Sequence, residues 1–511
     1  MQENPSVQAS TVTAHADKVP VPQKLAYGLG TFHDMWGHWL YPNIGFQVFN
    51  IFLGVAPWLI GVALFANRVF DAIADPLFGW LSDNTRTRWG RRRPYILIAG
   101  VIGGLCFPLL VAVGPGWGTT TIFGREISNY FWFMIGSSAL FLPIMSAFKV
   151  PYDCMGAEMT PDYNERTSVW SFRNGVQKFA ELGLFFGAQF MTMAVWVGAT
   201  NENVWARIKQ LLTSATAWKA APEGTLPNIL LGAQVYCTVL GVLMAIASVV
   251  MFFTIRERYY GNLASKQDKV KLIDTLGMTL KCRPFRMQLL MKMPYAMGTS
   301  MVGALGYYDT VYYVCRGNLG EGAVWNFRMG IAGMVFGFLG IPVFSYIARR
   351  LGKRHGVMAV LIAALFVFAA TWWLYNPDIK WLQIFATGLI AFTGAGFWML
   401  DGAIGGDVID YDELETGKRR EGAFTACGSW IMKVGMALGA GASGVILSVT
   451  GFDAALGGGQ TEHTLFMIRF LLAVVPIAGI LLALVMIYFF PLTPEKMAEI
   501  RQQLEVRRGK V

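Results

Sequence analysis

One feature limits this chain more than any other. Stretches of roughly 20 predominantly apolar residues, each long enough to cross a bilayer as a helix, recur about twelve times. In the first half they lie near Leu25–Leu53, Pro57–Leu81, Tyr95–Val113, Ile127–Val150, Val169–Val197 and Ile229–Thr254. In the second they lie near Met287–Val314, Ala323–Ala348, Val357–Tyr375, Trp381–Ile409, Ala423–Thr450 and Leu465–Phe490. Inside hydrocarbon every backbone amide must find its partner within the protein, and an unbroken apolar run of this length does so as a helix. The expected fold is therefore an all-α polytopic membrane protein with twelve transmembrane helices. Only 14% of residues are charged, against about 25% in soluble domains. The alternative, a large soluble protein with a big core, does not repeat spanning-length runs along its whole length.

The punctuation between runs sets the organisation. Residues 1–24 are polar, with no basic-then-apolar leader, so the first span itself is expected to direct insertion. Two six-helix halves, 25–254 and 287–490, flank a polar middle loop at 255–286, and a tail occupies 491–511. Arg86, Arg88, Arg91, Arg92 and Arg93 follow the second run, and Arg349, Arg350, Lys353 and Arg354 follow the eighth. The middle loop and the loop after run ten are also basic. By the positive-inside rule both termini are cytoplasmic, in a cell inner (plasma) membrane. The formal charge of +10 thus belongs to topology and the lipid bilayer rather than to nucleic acid, for which no binding signature is present. Six scattered cysteines imply neither a disulfide framework nor a zinc site. The basic turns "GWLSDNTRTRWGRRRP" and "SYIARRLGKRHG" fall at equivalent places in the two halves. That echo suits a duplicated, rocking transporter, although any cytoplasmic loop tends to be basic. In the tail, Thr493 and Pro494 predict a helix start, with Met497, Ile500 and Leu504 on one face.

Ionisable residues inside spans are costly and usually face a cavity in pairs. Arg68, Asp71 and Asp75 share one helix face. Two carboxylates one turn apart repel in a low dielectric, so one takes a proton or a cation binds between them. A structural salt-bridge cluster around Arg68 is the plainer reading. Asp34 sits between His33 and His38, where a vestibule is the alternative to a site. Lys149 and Asp153 flank Pro151 at an i, i+4 spacing, which also suits a simple intrahelical ion pair. Arg173, Lys178, Glu181, Asp309, Asp401 and Asp407 are further intramembrane charges. Lys433 stands alone in "IMKVGMALGAGASG" and needs an acidic partner or a polar ligand. Trp36, Trp39, Tyr41, Tyr152, Trp398 and Trp430 lie near these charges. Aromatic faces beside charged groups suit a sugar ring, whose apolar face stacks while its hydroxyls hydrogen-bond. Most of the 17 tryptophans are equally explained by an interfacial belt.

The segments "KLAYGLGTF", "RVFDAIADPLFGWLSDNTRTRWGRRRP", "VPYDCMGAEMTPDYNERT" and "GDVIDYDELETGKRREGAF" occur here in that order. They resemble the glycoside–pentoside–hexuronide:cation symporters of the major facilitator superfamily, which include the melibiose permease. The resemblance runs from about Lys24 to the end of run twelve. It implies two pseudo-symmetric six-helix bundles and secondary transport of a sugar with a cation. It assigns Asp71 and Asp75 to the cation site, with Ser146 at a hydroxyl position of that site. Ala74 stands where melibiose-permease-like members carry a ligating Asn, which weakens the case for sodium and leaves a proton as the favoured coupling ion. Arg173 and Lys433 match positions of the sugar site and its charge network. Met35 and Lys149 replace the acids of two sugar-site positions, and Asp153 replaces a sugar-stacking Trp. A galactoside is therefore disfavoured.

The substrate candidates are Asp34, Lys149, Asp153, Arg173, Trp398, Trp430 and Lys433. They leave two substrates open: an acidic sugar such as a uronide, drawn to Lys149, Arg173 and Lys433, or a neutral sugar, with Asp34 and Asp153 neutralising the cations. Asp83, Arg88 and Arg91 in one basic turn, with Asp412 and Arg419 in another, are candidates for salt bridges that latch the cytoplasmic side closed. No cofactor is expected beyond the coupling ion, H+ or Na+, and a monomer is the expected functional unit. Enzymatic function finds no nucleophile–base pair or metal cluster among the five histidines. A non-transporting sensor has no need of paired aspartates, and a carrier of a lipid-like substrate remains the rival within transporters.

Overall fold

A computed structural model describes residues 18–85, 87–122, 124–160, 163–222, 224–256, 280–417 and 421–508. The apolar runs are helices whose ends follow local chemistry. Pro57, Pro94 and Pro284 occupy first turns, where a missing N–H leaves no bond unmade. Asn228, Asn318 and Thr461 cap other helices by accepting from first-turn amides.

The first span is not a plain α-helix. It begins as α1 (Val21–Leu29), becomes π-helical over His33–Leu40, continues as α2 (Tyr41–Gly45) and is π-helical again over Phe46–Phe52. Then come α3 (Pro57–Asn84), α4 (Arg93–Cys106), α5 (Asn129–Glu158) and α6 (Tyr163–Met191). A short α7 (Val204–Thr213) precedes α8 (Ile229–Thr254). The second half holds α9 (Arg283–Tyr308), α10 (Leu319–Leu351), α11 (Lys353–Leu374), α12 (Gln383–Thr416), α13 (Glu421–Val449) and α14 (Glu462–Tyr488). The tail forms α15 (Pro494–Arg508), with Met497, Ile500 and Leu504 buried as its sequence pattern requires.

Among the described residues, nine helices are long and apolar enough to span a membrane by themselves. The first span, α6 and α9 complete the expected twelve. The first is broken by π-helical turns, and α6 carries Arg173, Lys178 and Glu181. The seventh span, α9, ends in a π-helical segment, Asp309–Val314, just as the first span ends in one. The two halves thus repeat an irregularity as well as a helix count.

Small residues let the helices approach. A Cβ on Gly104 would come 2.4 Å from the Gly241 carbonyl, so α4 and α8 touch through backbone. Between the halves, a Cβ on Gly61 of α3 would meet the Gly441 carbonyl of α13 at 2.6 Å. The Trp58 amide donates to Ser448 Oγ at 3.0 Å, and the Tyr308 hydroxyl to Asn50 Oδ1 at 2.6 Å. Buried apolar side chains form one cluster that runs through both halves at this end, from Ile60 and Phe49 to Tyr308, Leu447 and Phe452. Towards the opposite end each half has a cluster of its own. The halves are knitted together at the end bearing Pro57 and Val449.

Two connections at that end are more than short polar loops. Strands β1 (Thr119–Ile122) and β2 (Arg125–Ser128) pair as an antiparallel hairpin between α4 and α5. The connection from α6 to α8 folds around Trp196, fully buried, whose indole donates to the Phe190 carbonyl at 2.7 Å. A buried tryptophan brings enough apolar area to order a segment that polarity alone reads as loop.

Candidate functional site

Three positions on α3 dictate the first cluster. Arg68, Asp71 and Asp75 follow one another at helical spacing, so they face the same way. That face meets the first span, α5 and α13. Asp71 is fully buried. Its Oδ1 accepts from Ser146 Oγ at 3.2 Å and lies 3.6 Å from His38 Nε2. Its Oδ2 lies 3.0 Å from Lys433 Nζ and 3.7 Å from Arg68 Nη1. Lys433 also makes a close ion pair with Asp75 Oδ2. The glycine contacts explain why this lysine arrives from the other half. α3 and α13 run antiparallel, and packing Gly61 on Gly441 and Gly444 sets Asp71 beside Lys433 about ten residues along each helix. Arg68 is held from behind: it donates to the His38 carbonyl at 3.2 Å and stacks on Trp39, 4.7 Å from the ring centre. Ala74, beside Asp75, is buried, and its side chain carries no oxygen.

The second cluster lies one turn along from His38 on the first span and from Ser146 on α5, and it adds α6. Asp34 of the first span is clasped by Lys149 of α5 and by Arg173 of α6, the latter at 3.1 Å. Arg173 reaches Asp153 at 3.4 Å and donates through Nε to the Tyr152 hydroxyl at 3.1 Å. Its guanidinium lies over the rings of Trp170 and Tyr152, 4.9 and 5.4 Å from their centres. Asp153 is 41% exposed, so it faces open space while Asp34 is buried. The Lys149–Asp153 intrahelical pair is not what forms. Lys149 turns to Asp34, because a deeply buried carboxylate gains more from a cation than one that water already solvates.

Asp71, Asp75, Ser146 and Lys433 are therefore brought together, as are Asp34, Lys149, Asp153 and Arg173. Lys433 stands in the first group rather than with the sugar-site candidates. Trp398 lies apart, packed on Tyr295 and Phe397 and 5.8 Å from Lys292 Nζ. Trp430 is half exposed. Lys292, which the sequence reading passed over, pairs with Asp401 at 2.8 Å, and Gln288 donates to the same carboxylate at 2.9 Å. Trp36 is a packing residue, its indole bonded to the Ala180 carbonyl at 2.8 Å. Lys178 pairs within α6 with Glu181 at 2.7 Å. Of the latch candidates, Arg88 lies against Trp89, 4.9 Å from its ring centre, while Arg91 and Asp412 are buried. Arg419 and the side chain of Asp83 lie outside the described residues.

Residues 37–494 match the family described as MFS/sugar transport protein, which covers both clusters except Asp34. The chain belongs to this family. It is similar to an uncharacterized symporter of Synechocystis sp., 26% identical over 96% of this chain and 98% of that one. A glucuronide carrier protein homolog of Escherichia coli is 24% identical over 89% of each chain. A crystal structure of a D-xylose-proton symporter superposes with a TM-score of 0.58 at 12% identity, covering 92% of this chain and 98% of that one, and shows the shared fold. As a member of the MFS/sugar transport family the protein is a multi-pass membrane transporter rather than an enzyme. At the general level that family and relatives establish, its activity is symport of a sugar with a cation.

Proposed function

We propose that the protein couples uptake of a neutral glycoside to protons, by alternating access of two six-helix halves around the two clusters. The observation that carries this reading is the seat of Lys433. Its ammonium sits against both Asp71 and Asp75, and Arg68 also faces Asp71, so two tethered cations already balance the coupling carboxylates. Protonation of either acid weakens the bond to Lys433 and with it a link between the halves. Sodium would have to displace the ammonium and find further oxygens, and Ala74 supplies none. No cofactor enters beyond the coupling ion.

The sugar-side charges support a neutral substrate. Lys149 and Arg173 are each matched to a carboxylate, Asp34 and Asp153, which leaves no excess positive charge. Arg173, lying over two aromatic rings beside an exposed Asp153, suits hydroxyls at the rim of a sugar ring. One observation favours a uronide instead. The Arg173–Asp153 bond is the longest and most exposed of the set, so a substrate carboxylate is able to replace Asp153 there. Uptake of paired neutral glycosides and uronides by Lys149→Ala tests this. Similar losses on both classes fit the neutral reading, and a loss confined to uronides fits the acidic one.

We further assign the basic loops to the cytoplasm, with both termini there and a monomer in the inner membrane as the working unit. The knitted end bearing Pro57 and Val449 then faces outward, and the structure corresponds to a state closed to the outside. In the opposite state, Asp83, Arg88, Arg91, Asp412 and Arg419 are the candidates to latch the inner side.

A further inference from the structure

Beside the Asp71 cluster lies a small cavity that the transport reading does not use. Its lining includes His38, Tyr41, Asn67, Arg68 and Ser138, together with the apolar Leu110 and Phe141. About 10 Å³ is open to the centre of a water molecule, which is room for one. His38 Nδ1, the Tyr41 hydroxyl, Asn67 Oδ1 and Ser138 Oγ are all buried, and none has a hydrogen bond of ordinary geometry to a protein group. The four residues are between 1% and 5% exposed. Tyr41 faces Ser137 and Ser138 without closing a bond to either. Four orphan polar atoms on residues that line one small, otherwise apolar space are rare, because each costs about 1–3 kcal/mol when left unpaired.

Their chemistry is complementary. Tyr41 and Ser138 have O–H groups to give, while Asn67 Oδ1 and an unprotonated His38 Nδ1 have lone pairs to receive. A water molecule donates two hydrogen bonds and accepts two, which matches this set one for one. A cation is disfavoured because Arg68, a permanent cation, is among the lining residues. We propose that this cavity is a one-water site, and that its water fixes His38 as a donor aimed at the coupling carboxylate Asp71. With Nδ1 accepting from the water, the ring proton resides on Nε2, the nitrogen 3.6 Å from Asp71 Oδ1. A small rotation of either group completes the hydrogen bond. The π-helical turn over His33–Leu40 carries His38 to this position. The groups facing the imidazole are Asp71 and Arg68 of α3, His33 and Asp34 of its own span, Ser138 of α5, and Lys433 of α13 through Asp71. His38 is thus a positioning residue for Asp71, and the inference rests on reading Asp71 as the coupling acid.

Two measurements on the full chain in lipid test this, and neither needs a substrate. In an experimental structure at about 2 Å, a density peak is expected within about 3.2 Å of at least three of the four atoms. A dry cavity, or a direct Tyr41–Ser138 bond in its place, overturns the site. The second readout is the rate at which a hydrophobic carbodiimide, which attacks protonated carboxyls, modifies Asp71 at pH 7, followed by peptide mass spectrometry. Removing a hydrogen bond to a charged group should raise that rate on the order of tenfold, in His38→Leu and in Ser138→Val, whose methyls fill the water's space. His38→Gln keeps a donor, and Ser138→Ala leaves the water three partners, so both should stay near the wild-type rate. Equal rates in Ser138→Val and Ser138→Ala overturn the water's role, and an unchanged His38→Leu overturns the donor. Glycoside transport can fail its own tests while these results stand, and the reverse holds too.

Discussion

Replacing Lys433 by methionine probes the link between the halves. The ammonium lies 3.0 Å from Asp71 Oδ2 and is 13% exposed. With an effective dielectric constant of about 20, opposite charges at that distance attract by about 5.5 kcal/mol. Part of this is offset by the desolvation of the amine, and Arg68 still faces Asp71 at 3.7 Å when Lys433 is gone. Removing one partner of a buried ion pair costs about 3–5 kcal/mol, and the second cation places this case near about 3 kcal/mol. Lys433→Met should therefore lower the unfolding temperature of the protein in lipid nanodiscs. The double variant Lys433→Met/Asp75→Asn removes one of the stranded carboxylates and should recover more than half of that loss, a coupling that the double-mutant cycle isolates. An unfolding temperature equal to wild type in the single variant, or a double variant no more stable than the single, would refute the reasoning.

Other sites give shorter tests. Arg173→Lys keeps the charge but not the planar fork stacked on Trp170 and Tyr152, so glycoside affinity should fall about tenfold or more by equilibrium binding. In Gly444→Ala the new methyl would lie 2.4 Å from the Pro57 carbonyl. The halves should part at that end, seen as a longer spin-label distance between Trp205→Cys and Leu456→Cys. Lys292→Met strands Asp401 with Gln288 as its remaining partner and should cost about 3 kcal/mol of stability, read by the same thermal assay.

Much of the fold was legible because a bilayer leaves few choices: a spanning apolar run has to be a helix. The shared face of Arg68, Asp71 and Asp75 was legible for the same kind of reason, since spacing within one helix fixes direction. What crosses between helices was not. Lys433 needed an acidic partner or a polar ligand, yet the acids it meets are on α3, the nearer in sequence, Asp75, 358 residues away, and no local pattern ranks them. Lys149 and Asp153 looked like a pair because they are near in sequence, whereas the buried acid, Asp34, belongs to another helix. His38 stayed undecided between site and vestibule because its place depends on a π-helical turn, which a 3.6-residue period does not describe. The latch differs in kind, since its basic turns are informative for topology but name no partner for any one arginine.

The central claim is that protons, held at Asp71 and Asp75 in exchange for Lys433, drive sugar uptake. It is tested most directly in proteoliposomes with sodium and proton gradients imposed separately across a panel of glycosides. The account predicts concentrative uptake under an inward proton gradient alone, lost in Asp75→Asn while counterflow persists. Uptake driven by sodium alone, or full concentrative uptake by Asp75→Asn, would contradict it.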